Sequence, residues 1–426
     1  MSRTAEAVLI LVATGLAGLG TVLVNLTQGS GFDAQVVVTI AAFLVGFGGF
    51  GLAVRRFAPA ANPFLIPLVT FLAAIGFTEL YRLDPSRAAV QRWSIVVAGG
   101  IASAVLFALR SEGVAVLRRY RYVFAITALG LWMLPLTPLG VEVNGSRLWL
   151  RLTVPGTSVT ASFQPGEIAK LLLVAFLASY LAERHESLAN MRRSIGRLLL
   201  PRPSQLGPVF LAFIVSFGVL IYQRDLGASL LLFGVVVAML YAATSQASYL
   251  AFGGLLVAGG GVVAYQMFDH VQRRVSAWLY PFDDFTGAGY QVAQGLFAFG
   301  SGSLTGSGIG VGRPDLIPAA ATDYIFAAIA EEMGLAGSVA TLAGFALLFA
   351  VGFGISVRSR DVFRKLMAAG LVLVLGIQTI LILAGVMRLF PVTGITLPFM
   401  SYGGSSLIAN LVLIALLARI SHEERT

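Results

Sequence analysis

The run LGASLLLFGVVVAMLYAA, residues 226–243, carries no charged side chain and is bounded by Arg224-Asp225 on one side and Thr244-Ser245-Gln246 on the other. About 20 predominantly apolar helical residues cross a hydrocarbon core, so this stretch reads as a membrane span. Inside lipid every backbone N–H and C=O must bond within the protein, which leaves helices and closed barrels as spanning structures. The run is continuous where a barrel strand would alternate, which favours the helix. Similar runs recur near 6–26, 35–54, 63–80, 92–109, 121–138, 165–183, 206–222, 248–267, 325–355, 366–387 and 404–420. The expected fold class is all-α: a polytopic integral membrane protein of about 12 transmembrane helices.

Composition agrees. Of 426 residues 57% are hydrophobic and 12% charged, against about 25% charged in a soluble domain. The absence of cysteine excludes disulfides, thiolate metal sites and a Cys nucleophile. Three histidines leave little for zinc. The net charge of +9 fits basic connectors against anionic membrane lipids, and nucleic acid is not an expected partner. The first run, opening near Ala5, reads as a retained span, because no basic stretch precedes it and residues 25–31 offer no small-residue cleavage pattern. Arg55-Arg56, Arg118-Arg119-Arg121, Arg184 to Arg202 and Arg358 to Lys365 fall on one side of the resulting topology. The positive-inside rule then puts both termini in the cytoplasm. Residues 191–200 mix Arg192, Arg193 and Arg197 with Ile and Leu, as in an interfacial helix or a basic connector.

Two outer loops exceed plain connectors: about 139–164 and 268–324. The longer one holds Trp278, Tyr280, Phe282, Phe285, Tyr290, Phe297 and Phe299, enough apolar material to pack or to lie at the interface. An ionisable residue within a span is a functional candidate. Glu167 and Lys170, three apart behind Pro165, share a helix face, either at a site or as a packing ion pair. Arg224 and Asp225 make a polar hinge, and Glu331-Glu332 follow Asp323 on an apolar span. Two adjacent carboxyls point apart, so at most one of that pair faces a site. Arg147 and Trp149 suit an anionic head group and a sugar face. Gly403-Gly404 open the last span, where backbone N–H groups are available to an anion.

Taken together, the strings NGSRLW, QPGEIAK, QRDLGASLL, GAGYQVAQGLFAFGSGSLTGSGIG, GRPDLIPAAATDYIFAAIAEEMGLAG and PVTGITLPFMSYGGSSLIAN closely resemble the SEDS family, the shape, elongation, division and sporulation proteins that include RodA and FtsW. The forms GRPDLIP, QRDLG and GVMRLFPVTG are closer to actinobacterial elongation-type members than to division-type ones. The resemblance implies a single membrane domain with a ten-helix core, so that residues 1–60 are additional N-terminal helices. It implies a peptidoglycan glycosyltransferase that polymerises lipid II at the outer face of a bacterial cytoplasmic membrane, beside a class B penicillin-binding protein. A lipid II flippase, a scaffold for the penicillin-binding protein and a division-specific polymerase are the alternatives.

The family's essential carboxylate lies in an Asp-Pro-Leu/Phe-Gly-x-Gly-Tyr pattern. By resemblance it is Asp284, three before Gly287, with Phe285 in the proline's place. The family's Arg-Trp reads Leu148-Trp149 here, with Arg147 one place earlier, and its Gln-Pro-Asp-Leu-Gly reads Gln-Arg-Asp-Leu-Gly, so Asp225 carries over and Arg224 does not. Substrate-binding positions implied by the matched strings are Arg147, Trp149, Glu167, Lys170, Asp225, Gln291, Gln294, Arg313, Asp323, Ser401 and Gly403. Joining a sugar hydroxyl to an anomeric carbon needs a general base, assigned to Asp284. The departing pyrophosphate needs cations, for which Arg147, Lys170 and Arg313 are candidates, with Mg²⁺ or another divalent cation as a further one. No metal-ligand spacing stands out.

Overall fold

The computed structural model describes residues 3–143, 146–153, 160–190, 193–195, 198–200, 214, 218 and 221–426. In chain order the helices are α1 (Arg3–Thr27), α2 (Ala34–Phe57), α3 (Leu65–Leu83), α4 (Pro85–Ala108), α5 (Ala115–Arg119), α6 (Arg121–Met133), α7 (Pro165–Asn190), α8 (Leu226–Thr244), α9 (Ala247–Met267), α10 (Asp269–Leu279), α11 (Tyr290–Gly302), α12 (Ile325–Arg358), α13 (Val362–Val386) and α14 (Gly404–Glu423). Ten of these, among the described residues, are long and apolar enough to cross a membrane. The chain is a multi-pass, all-α membrane protein. The span expected at 121–138 is shorter, because the helix tightens at Leu134–Leu136 around Pro135. The span expected at 206–222 lies almost wholly outside the described residues.

Helix ends follow local chemistry. α4 begins at Pro85, seven residues before the apolar run suggests, because Asp84 accepts from the N–H groups of Ser86 and Arg87 and Pro85 occupies the first turn. The Ser86 hydroxyl first, and then these amide donors, hold the half-buried Asp84 carboxyl below its ordinary pKa. α12 is broken at Gly334, which sits at φ +64.

The chain forms two compact units. The first comprises Met1–Ser111, Tyr265–Gly352 and Gln378–Thr426, and the second Glu112–Ala264 with Phe353–Ile377. In the first, Phe43, Phe47, Phe50 and Phe77 fill the interior, and most of α14 is buried. Lipid tails are as apolar as leucine, so helix association relies on close packing through small residues. Here α2 meets α4 at Gly46 and Gly99, where a methyl on Gly99 would lie 2.3 Å from the Gly46 carbonyl oxygen. Polar ties fasten both ends of α1. Near its start Arg3 donates to the Ala61 carbonyl at 2.9 Å and pairs with the buried Glu6 at 2.7 Å. At its far end Asn25 donates to Asp33 and accepts from the Tyr81 hydroxyl, both at 2.9 Å.

In the second unit, α7 is the buried element, with Leu173, Val174, Phe176 and Leu177 in the interior. Glu183 pairs with Arg121 across α7 and α6. The loop expected at 139–164 holds a small antiparallel sheet, an addition to the all-α expectation: β1 (Gly140–Val143), β2 (Ser146–Thr153) and β3 (Thr160–Phe163), in that order. Alternation explains it. Along β2 the larger polar and aromatic residues Arg147, Trp149 and Arg151 fall on one face and Leu148 and Leu150 on the other. Where an interfacial helix or a basic connector is expected, at 191–200, β4 (Arg193–Ile195) pairs antiparallel with β5 (Leu198–Leu200), which departs from the helix reading and leaves the connector.

Candidate active site

α10 and α11 are joined by a turn, residues 280–289, that carries Asp284. The turn closes on that residue. Its carbonyl accepts from the N–H groups of Gly287 and Gly289, each at 3.2 Å, and its Oδ2 accepts from the Ala288 N–H at 2.8 Å. A methyl on Gly287 would fall 2.3 Å from Oδ2, and one on Gly289 would fall 2.1 Å from the Pro281 carbonyl oxygen. Gly289 is therefore a steric requirement of the turn, whereas at Gly287 a methyl would meet the Asp284 carboxylate alone and so bears on where that side chain stands. Asp284 itself is exposed.

Aromatic residues surround it. Phe285, in the family proline's place, meets Tyr290 edge-on at 5.6 Å and lies 6.2 Å from Phe297. Phe282 approaches the same Phe297 at 6.1 Å. Such an edge-on ring pair contributes about 0.5–1.5 kcal/mol beyond its buried area. Tyr280, Phe282, Phe285 and Phe297 nevertheless stay exposed, an apolar band beside a carboxylate that suits a lipid-borne substrate.

The remaining sequence-predicted residues of this unit divide by exposure. Gln291 donates to the Pro318 carbonyl at 2.8 Å, tying the start of α11 to the 314–318 turn. Gln294, one helical turn on, is half-buried. Arg313 extends outward beside Asp315, 3.4 Å away, while its own N–H donates to Glu331 Oε1 at 2.8 Å. Asp323 and Arg274 flank Gly394, where a methyl would lie 3.3 Å from Arg274 Nη2 and 3.8 Å from Asp323 Oδ2. Next in sequence, the Tyr324 phenol is pushed well above its ordinary pKa by burial, with Asp323 adding to the shift. Ser401 is buried: its hydroxyl donates to the Thr322 carbonyl and accepts from the Leu397 N–H. Gly403 is buried too, and its N–H points to Gln91 Oε1 at 3.4 Å. Ser401 ties two loops together, and Gly403 ties its loop to α4.

Glu331 and Glu332 act as a bracket for the glycine-rich turn before Arg313. Glu332 Oε2 accepts from the Gly310 N–H at 2.7 Å, and its Oε1 lies 3.4 Å from Arg82 Nε. Arg82 also donates to the Gly312 carbonyl at 3.2 Å. Glu79, one turn before Arg82 on α3, is fully buried, and neither of its oxygens accepts a hydrogen bond from a described residue. Sequence reading passed over Glu79 and Arg82, though an acid and a base three apart inside a span are a signal for such a cluster.

The second unit holds the other candidates. On β2 the Arg147 guanidinium donates to the Gly140 carbonyl at 3.2–3.3 Å, and Trp149 pairs across the strands with Val141. At the start of α7, Lys170 meets Glu167 at 2.7 Å, with both side chains largely buried. Asp225 caps α8, its Oδ1 accepting from the Ala228 N–H at 2.9 Å. Among the described residues no three His, Asp or Glu side chains converge in an arrangement that could hold a metal ion.

The chain is 39% identical to the peptidoglycan glycosyltransferase RodA of Mycobacterium tuberculosis, over 99% of its own length and 91% of that protein's. Among solved structures it is similar to a chain of a peptidoglycan synthase complex that coordinates polymerization and crosslinking, with TM-score 0.67, 28% identity, and coverage of 85% of this chain and 98% of the other. It is also similar to the rod shape determining protein RodA of Thermus thermophilus, with TM-score 0.58, 27% identity, and coverage of 86% and 98%. Residues 56–426 match the cell cycle protein family of FtsW, RodA and SpoVE, and the chain belongs to that family.

Proposed function

We propose that this chain is a peptidoglycan glycosyltransferase that polymerises lipid II at the outer face of the cytoplasmic membrane, in the elongation role of RodA. The 39% identity to mycobacterial RodA, over nearly the full length of both chains, supports the activity. The observation that carries the site is an exposed carboxylate on a turn whose shape requires Gly289. Asp284 acts as general base on the acceptor's sugar 4-hydroxyl. That oxygen bonds to the donor's anomeric carbon, the bond from that carbon to undecaprenyl pyrophosphate breaks, and the proton passes to the Asp284 carboxylate. Cationic side chains, with Arg313, Arg147 and Lys170 as candidates, answer the charge on the departing pyrophosphate. Gln291, Gln294, Asp323, Ser401, Gly403, Trp149, Glu167 and Asp225 are read as substrate-side or supporting positions. The exposed aromatic band beside Asp284 gives the polyprenyl carrier a surface, so the substrate stays in the bilayer.

The partner is a class B penicillin-binding protein. The likeness to a chain from a synthase complex that couples polymerization to crosslinking supports this reading. Both termini lie in the cytoplasm, by the distribution of the basic connectors. Residues 1–60 add helices to one family domain, in keeping with a family match that starts at residue 56.

The test is glycan-strand formation from purified lipid II by the full chain co-purified with its class B partner in detergent micelles, where no second compartment exists. Muramidase-sensitive polymer is expected. An intact complex that makes no polymer yet moves lipid II across vesicle bilayers would replace the enzyme by the flippase.

A further inference from the structure

α10 and the segment that follows α13 grip each other in both directions. Arg274 Nη1, from α10, donates to the carbonyls of Val392 (3.1 Å) and Thr393 (2.8 Å). Arg388 answers from the other side, with Nε donating to the Trp278 carbonyl and Nη2 to the Leu279 carbonyl, both at 2.8 Å. The Trp278 indole N–H closes the loop on the Arg388 carbonyl at 3.0 Å. Trp278 and Leu279 end α10, where carbonyls lack intrahelical partners and a cation also meets the negative end of the helix dipole. The backbone of Arg388 sits at φ +58, a left-handed conformation that a non-glycine residue keeps only when its surroundings hold it. The chain leaves this clasp at Leu279 and reaches Asp284 within the next turn.

We propose that Arg388 is a positioning residue for Asp284. Its guanidinium, locked with Trp278 to the end of α10, fixes where the 280–289 turn begins and so where the carboxylate stands against the acceptor hydroxyl. This rests on Asp284 being the base. A misplacement of about 1 Å at a reacting group costs up to about 100-fold in rate.

Arg388→Gly removes the guanidinium while relaxing the backbone, since glycine accepts φ +58. Trp278→Phe removes one donor and keeps a ring. Lipid II polymerisation by the full chain with its class B partner is measured beside hydrogen exchange of residues 280–289. Arg388→Gly is expected to lower kcat by about 30- to 100-fold with KM within about twofold. The double variant is expected to be no slower than Arg388→Gly alone, as for residues acting through one contact. Arg388→Lys should recover part of kcat by restoring one donor. Exchange should rise across 280–289 and not in α3 or α4. An Arg388→Gly enzyme with wild-type kcat and unchanged exchange in that turn overturns the positioning role, provided that Asp284→Ala in the same series is inactive. An Asp284→Ala enzyme that still polymerises overturns the base reading and, with it, the role given to Arg388.

Discussion

Asp284 and Glu332 are carboxylates of the same compact unit placed in opposite settings. Glu332 is 1% exposed, with one oxygen on the Gly310 N–H and the other facing Arg82. Asp284 is exposed, and its carboxylate bonds back onto its own turn through the Ala288 N–H. A buried carboxylate has lost its water and is held by the partners that replace it, so it shapes the loop around it. A base has to reach a substrate proton, so it stays at a surface on a rigid turn. The contrast supports reading Glu332 as scaffold and proposing Asp284 for the chemistry, where charge alone would treat the two alike.

Substitutions on each side test the division. Glu332→Ala removes the acceptor of the Gly310 N–H and one carboxylate beside the half-buried Arg82, and is expected to lower unfolding stability in micelles by about 1–3 kcal/mol. A loss below about 1 kcal/mol would show that water reaches this cluster. Gly306 sits at φ +80, and a methyl there would lie 2.1 Å from the Glu332 carbonyl oxygen. Gly306→Ala should therefore cost about 2 kcal/mol, whereas Gly300→Ala, on α11 with nothing within 4 Å, should be neutral or stabilising by up to about 1 kcal/mol. Equal effects at the two glycines would remove the argument for a tightly held turn. Arg313→Ala, at a side chain 68% exposed, should leave the unfolding midpoint unchanged and lower kcat by about threefold, the small effect of one solvated charge on the departing pyrophosphate. An unchanged kcat would remove Arg313 from the leaving-group side.

The spans were legible because lipid imposes a simple rule on length and polarity, and the run at 226–243 falls within α8 to the residue that Asp225 caps. Where side-chain capping decides, as at Asp84 before α4, hydropathy alone placed the helix start too late. The small sheet at 140–163 was hidden for a similar reason: its short alternating strands lie among turn residues and carry no strong period signal. In the site, the spacing from Asp284 to Gly287 and Gly289 was readable, and the structure gives Gly289 a steric reason. Ser401 and Gly403 read from the matched strings as substrate-side positions, and only packing shows the Ser401 hydroxyl bridging Thr322 and Leu397. Arg388 gave no sign of its task, since a single arginine after a span has the look of an interfacial charge and its grip on Trp278 joins residues 110 apart in sequence.

The most direct measurement is the rate of lipid II polymerisation by Asp284→Asn, in complex with the class B partner, taken with the unfolding midpoint of the same preparation. The substitution keeps size and the turn's hydrogen-bond acceptor and removes the base. A rate at least about 100-fold below wild type, with stability within about 0.5 kcal/mol, is the expected result. Polymerisation near the wild-type rate, or a loss of rate that follows a loss of stability like that expected for Glu332→Ala, would contradict the assignment of chemistry to the exposed carboxylate.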